Sequence, residues 1–287
     1  MPEKMLICTD LDRTLIPNGP QPESPAARQY FSALISRPEV KLAYVSGRHR
    51  KLVQSAITNY CLPVPDFVIG DVGTTIYHLD GPGNWERQTD WEEHIARDWS
   101  GKTHADLKLM LNDIHALRLQ ESSKQNHFKL SFYIPLQADR QALTALMEKR
   151  FHEAGVKASL IWSINEPAGV GLLDILPASA SKLHAIQALM QMLGFDYGNT
   201  IFSGDSGNDI EVLASPVPAV MVANSSPDVQ ELATLLASEN GCSDKLYIAQ
   251  GSLSGMNGNY SAGILEGIVH YFPATRAWIA PERSESL

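Results

Sequence analysis

Short apolar runs alternate with helix-patterned stretches through the first 81 residues, break off, and resume after residue 167. That alternation constrains the chain more than any other feature, because strand–helix–strand units close into a parallel sheet covered by helices. Met5–Thr9 is a buried-strand candidate, and Val40–Val45 and residues 66–69 follow as further strands. A helix is expected over 24–36, with Ser24 as N-cap and Pro25 at the first helical position, and another over 48–60. Residues 74–78 read as a short hairpin arm.

The pattern changes at Gly81-Pro82-Gly83, a cluster of chain-breaking residues. Helical periodicity follows over 90–98, 103–116 and 138–154, and strand alternation over 128–134 and 156–162. Strict apolar–polar alternation predicts an antiparallel sheet with one wet face. After Pro167 the first pattern returns, with strands at 171–176, 200–203, 217–222 and 245–249 and helices at 181–193, 227–237 and 262–271. The expected organisation is therefore an α/β, Rossmann-like parallel-sheet core from 1–81 and 168–272, an inserted α+β cap at 82–167, and a loose tail at 273–287.

The chain carries 23 Lys and Arg against 32 Asp and Glu, a formal net charge of −9. This argues against nucleic-acid and anionic-membrane partners. An anionic substrate would need local cations or backbone amides to override the global sign. No run approaches the ~18 apolar residues of a membrane span. Cys8, Cys61 and Cys242 are widely spaced and suit reduced thiols in a cytoplasmic protein.

Four polar clusters fall just after candidate core strands. Asp10-Leu11-Asp12 follows the first, and its carboxylates, two apart on extended chain, project to the same side. Ser46-Gly47-Arg48 offers a hydroxyl and an amide before a helix start, a cradle for phosphate. Lys182 opens a helix, where a cation opposes the macrodipole. Gly204 to Asp209 supplies Asp205, Asn208 and Asp209 on a glycine-containing loop suited to a hard cation. Each alone is also an ordinary turn, cap or surface charge. Ligands of open α/β sheets bind at the carboxyl ends of strands, so together the four share one rim. They supply what phosphoryl transfer needs: carboxylates, a hydroxyl, amides and an ammonium.

In that order, Asp10-x-Asp12-x-Thr14, Ser46-Gly47-Arg48, Lys182 and Gly204-Asp205-x-x-Asn208-Asp209 resemble the motifs of haloacid-dehalogenase (HAD) phosphatases of the subclass with an α/β cap, IIB. Within it the chain is most similar to sucrose-phosphate phosphatases, through Gly70 to Tyr77, Gln125 to Ser131, Leu173 to Pro177 and Ala262 to Gly267. The resemblance implies that Asp10 attacks phosphorus and that Asp12 is general acid and base. It implies Mg²⁺ on the Asp10 carboxylate, the Asp12 carbonyl and Asp205, with Asp209 orienting that shell. Ser46, Gly47, Lys182 and Asn208 would hold phosphate. Arg48, Gly73, Thr74, Gln125, Asn126 and Lys129 are the expected sugar contacts, amides and ammonium groups suiting a hydroxyl-rich ligand.

Two positions depart from the resemblance: Arg13, where many relatives carry Gly or Asn and where a bulky cation, though clear of the named chemistry, could alter the rim, and Thr75, often acidic in sucrose-phosphate phosphatases. The expected substrate is sucrose 6-phosphate. Mannosylfructose phosphate, glucosylglycerol phosphate and monosaccharide phosphates remain open, as do a phosphomutase and a non-catalytic sensor. A monomer is expected, with a glycosyltransferase as a conceivable associate.

Overall fold

Residues 5, 7, 42, 44 and 68 bury into one apolar cluster and residues 6, 8, 43, 45, 67 and 69 into another. Successive side chains of a strand point to opposite faces, so this division puts a core on each side of one sheet. The computed structural model describes residues 4–81, 83–165, 168–253 and 255–279. Its strands are β1 (Met5–Thr9), β2 (Val40–Val45), β3 (Phe67–Gly70), β4 (Thr75–Leu79), β5 (Trp85–Arg87), β6 (Arg118–Leu119), β7 (Leu130–Ile134), β8 (Ala158–Asn165), β9 (Val170–Pro177), β10 (Thr200–Gly204), β11 (Ala219–Met221) and β12 (Leu246–Ile248).

Eight strands form the core sheet in the order β12-β11-β10-β1-β2-β3-β4-β5. The run from β12 to β3 is parallel, and β4 and β5 add antiparallel at the edge. Helices Ala27–Ile35 and Ser261–Tyr271 cover one face, giving Phe31, Leu34, Ile264 and Ile268 to its core. Helix Lys182–Leu193 covers the other with Ala185, Ile186 and Leu189. Burial on both faces explains why the central strands read as unbroken apolar runs.

The second sheet is antiparallel, in the order β6-β7-β9-β8. Two strands fall on the other side of the expected boundaries at 82 and 168: β5 pairs with β4 in the core sheet, and β9 pairs with β7 and β8 in the inserted one. The physical reason for β9 is its burial, which alternates along Val170–Ile175 as one wet face requires. The chain re-enters the core only after it, where the Asp98 carboxylate accepts from Ser179 N at 2.7 Å and Ser179 Oγ at 2.5 Å.

Ser24 is not the expected N-cap. The helix starts at Ala27 behind a left-handed Ala26 (φ 61°), and the Ser24 hydroxyl instead bonds Asn257, donating to Oδ1 at 2.8 Å and accepting from N at 2.9 Å. Residues 273–279, expected loose, form the turn Pro273–Thr275 and the helix Arg276–Ile279. Ile279 is buried there, and the Arg37 guanidinium lies over the Trp278 ring at 4.2 Å. Residues 280–287 lie outside the described residues. Among the described residues, no helix is long and apolar enough to cross a membrane.

Candidate active site

Sheet register assembles the site. Thr9 pairs with Ser203 on one side and Tyr44 on the other, so Asp10 leaves the sheet level with Gly204 and Val45. Asp205 and Ser46 follow one residue beyond. The chain then coils tightly: Leu11 O accepts from the N–H groups of Thr14, Leu15 and Ile16 at 3.3, 3.1 and 2.8 Å. That coil buries Thr14, whose hydroxyl donates to Asp205 Oδ1 at 3.3 Å.

Lys182 ties the Asp10 loop to the Gly204–Asp209 loop. Ser181 caps its helix through a bond from His184 N, and the buried ammonium donates to Asp10 Oδ1 at 3.0 Å, Asn208 Oδ1 at 2.9 Å and Asp209 Oδ1 at 2.7 Å. The unfavourable position at a helix start thus has its reason in ion pairing with Asp10 and Asp209. Burial works against the ammonium, yet the charges of Asp10 and Asp209 hold its pKa above the ordinary value. Asp209 Oδ2 accepts from Asp205 N and Ser206 N, both at 3.1 Å, and so fixes the loop that presents Asp205.

Asp10, Asp205 and Asp209 are all buried and offer carboxylate oxygens within 4.8 Å of one another. Burial pushes Asp10 well above the usual carboxylate range; Lys182 pulls it back, and Asp209, Asp205 and Asp12 raise it again. Asp205 is pushed up to about 7, first by burial and then by Asp209, against Arg13, Lys182 and Thr14. A cluster of oxygen donors with excess negative charge fits a hard divalent cation. Asp10 and Asp205 would hold it, with Asp209 already committed to Lys182 and the loop.

The metal-free protein should lose stability as pH rises from about 4 to about 7. In that window native Asp205 keeps a proton that the unfolded chain releases. Thermal melts across pH 4–8 check this; Mg²⁺ at pH 7.5 should raise the melting temperature, because only the folded chain gathers the ligands.

Asp12 turns away from this cluster. Arg48 grips it through Nε to Oδ2 at 2.7 Å and Nη2 to Oδ1 at 2.6 Å, and Asn18 Nδ2 adds a bond to Oδ1 at 2.8 Å. Burial raises its pKa, but the Arg48 bonds and charge, then Asn18 and Lys182, outweigh that and hold it below the ordinary value.

A cavity of about 290 Å³ opens beside these groups. Asp10, Asp12, Ser46, Gly47, Arg48, Asp205 and Asn208 line it from the core and Lys129 from the insertion. Arg13, His49, Asp71 and Lys124 also line it and were not named as site residues from sequence. Ser46 is buried with its Oγ accepting from Arg48 N at 3.2 Å. Lys129 Nζ sits 3.8 Å from Asp174 Oδ2.

The other expected sugar contacts do not line this cavity. All polar atoms of the Gln125 amide are engaged: Nε2 donates to Gln120 O (3.1 Å) and Ser131 O (2.9 Å), while Oε1 accepts from Ser131 N (2.8 Å) and meets His104 Nε2 (3.1 Å). Asn126 Nδ2 donates to Thr74 Oγ1 at 2.8 Å, and the Thr74 hydroxyl donates to Asp71 O at 3.1 Å. These groups fasten the insertion to the core. Gly73 (φ 100°) serves close approach, since a Cβ there would lie 2.4 Å from the Ser181 carbonyl.

Arg13, expected to alter the rim, lines the cavity and reaches the acidic cluster. Its Nε lies 3.3 Å from Asp205 Oδ2, and its Nη2 donates to Asn224 O at 3.2 Å. Its φ of 59° also explains why Gly or Asn suits the position.

The sequence profile of the sucrose-6F-phosphate phosphohydrolase family matches residues 3–272. A Nitrosococcus oceani protein, named only as an HAD-like hydrolase, is 52% identical over 287 residues, all of this chain and 76% of its own length. Sucrose-phosphatase 1 of Nicotiana tabacum is 31% identical over 277 residues, 93% of this chain but only 59% of that enzyme. The structure of the Synechocystis sucrose-phosphatase, in complex with sucrose and phosphate, aligns with TM-score 0.73 and 26% identity over 94% of this chain and 98% of that one. With its parallel core, its inserted sheet and its four motifs on one rim, the chain belongs to the sucrose-6F-phosphate phosphohydrolase family of HAD hydrolases.

Proposed function

We propose that this chain is a Mg²⁺-dependent phosphatase that hydrolyses a sugar phosphate monoester, with sucrose 6-phosphate as the leading substrate. The observation that carries the reading is Asp10. It is a buried carboxylate at the cavity wall, bonded to Lys182, with Asp205 and Ser46 one residue beyond its level on the neighbouring strands.

In the proposed reaction an Asp10 oxygen attacks phosphorus while the P–O bond to the sugar breaks. Asp12 gives its proton to the departing alkoxide. A water then loses a proton to Asp12 and attacks phosphorus of the aspartyl phosphate, breaking the bond to Asp10 and freeing inorganic phosphate. Ser46, the Gly47 amide and Asn208 hold the remaining phosphate oxygens, and Lys182, whose three N–H groups bond Asp10, Asn208 and Asp209 in the free protein, exchanges one of these for phosphate. When bound, the divalent cation would neutralise charge on the transferring group. The bidentate Arg48 contact keeps Asp12 ionised in the free protein; a substrate dianion that competes for the guanidinium frees the carboxylate, which takes a proton from solvent before it acts as the acid. Arg13, Arg48, Lys124 and Lys129 offset the cavity-lining carboxylates Asp10, Asp12, Asp71 and Asp205 in a chain of net charge −9, and a bound divalent cation would tip that balance toward an anionic ester.

A phosphate-release screen over sugar phosphates tests the reading. Sucrose 6-phosphate should be turned over at least about tenfold better than monosaccharide phosphates, and EDTA should stop release. No release from any ester with Mg²⁺ present would reject the phosphatase; a preference for another glycosyl phosphate would replace the substrate.

A further inference from the structure

After β3 the backbone passes through three successive left-handed residues, Asp71 (φ 51°), Val72 (φ 62°) and Gly73 (φ 100°). Glycine adopts this region freely, but a β-branched residue there is an outlier. The neighbours impose it. Asp71 N donates to Arg48 O and Val72 N to Ser46 O, both at 3.1 Å, locking the turn onto the phosphate-cradle loop. Gly73 then runs under the backbone of Ser181 and Lys182. Such strain persists where surrounding structure over-determines it, and it clusters at functional sites.

The effect of the turn is to place the Asp71 carboxylate in the cavity wall at 4% exposure. No step of phosphoryl transfer uses it, and it lies outside the metal-ligating cluster. The bond that its Oδ2 accepts from Thr75 Oγ1 is long at 3.5 Å. A carboxylate has about four acceptor sites, and burying it with few close donors is costly. Burial raises its pKa, with Lys129 the main opposing charge, followed by the Asn126 amide and His49. A ligand bringing hydroxyl donors would relieve that cost; a ligand bringing a second anion would add to it.

We propose that Asp71 determines specificity, accepting hydrogen bonds from hydroxyls of the leaving sugar and disfavouring esters that carry a second anionic group. The proposal rests on the phosphatase reading and narrows its substrates to neutral polyhydroxy leaving groups.

The test uses Asp71→Asn and Asp71→Ala in the full chain. Asparagine tolerates the left-handed backbone and keeps the side-chain volume, so an unchanged melting temperature is expected. Three esters are compared: the best neutral sugar phosphate from the screen, fructose 1,6-bisphosphate, and p-nitrophenyl phosphate, which has no hydroxyl. Both variants should lower kcat/KM for the neutral sugar phosphate about tenfold or more, chiefly through KM. Their kcat/KM for p-nitrophenyl phosphate should stay within about twofold of wild type. In Asp71→Asn the ratio of bisphosphate to neutral-ester kcat/KM should rise about tenfold. Equal losses on the neutral sugar ester and p-nitrophenyl phosphate, or no loss on the sugar ester, would overturn the proposal. So would a wild type that cleaves p-nitrophenyl phosphate but no sugar phosphate. A wild type inert toward all three esters would contradict the phosphatase reading itself.

Discussion

Asp10→Asn should abolish phosphate release, with a loss of at least about 10⁴-fold, while melting at or above the wild-type temperature without metal. The two effects have one cause. Asp10 is buried beside Asp209 and Asp205, and its ionised form is disfavoured by burial and by those neighbours. A neutral amide of the same shape removes that repulsion and leaves Lys182 bonded to Asp209 and Asn208. Sites that hold like charges together for chemistry are less stable than they could be, so the inactive variant gains. Thermal melts in EDTA beside a phosphate-release assay check both halves. Substantial residual turnover would remove Asp10 from the role of nucleophile. A melt several degrees lower would mean its carboxylate is needed for the fold.

Lys182→Met should carry the opposite signature, losing both activity and stability. The ammonium is the group that bonds Asp10, Asn208 and Asp209 at once. Removing it leaves buried carboxylates without their main counter-charge, which costs about 3–5 kcal/mol when one partner of a buried pair is lost. Millimolar Mg²⁺ should restore part of the stability but not the activity, because the ion supplies charge to the carboxylates and no donor to the substrate. Denaturant melts with and without Mg²⁺ measure this. A variant as stable as wild type in EDTA would show that the cluster does not depend on Lys182.

The core and its motif residues were legible because one geometric rule carried them. Residues that follow parallel strands gather on one rim, and the register of β1 with β2 and β10 delivers Asp10, Ser46 and Asp205 there. The same rule applies to Asp71, directly after β3, but an acid in a Gly-Asp-Val-Gly run also reads as an ordinary turn. Only its backbone and burial set it apart. β9 was legible as a strand but not as a member of the inserted sheet, since apolar alternation before a helix does not say which neighbours pair. Gln125 and Asn126 have the right chemistry for sugar hydroxyls, yet backbone and Thr74 groups take it up. Residue type names what a side chain can bond, and tertiary geometry decides what it meets. Arg13 shows the same limit: sequence offers its charge and its unusual position, but not its approach to Asp205.

The most direct measurement is a rapid acid quench of the wild-type protein during its first turnover of a sugar phosphate with Mg²⁺, followed by the mass of the peptide that contains Asp10. The account predicts that peptide carrying one phosphate on the Asp10 side chain. Turnover with no phosphate on Asp10 at any quench time, or with phosphate on a different residue, would contradict it.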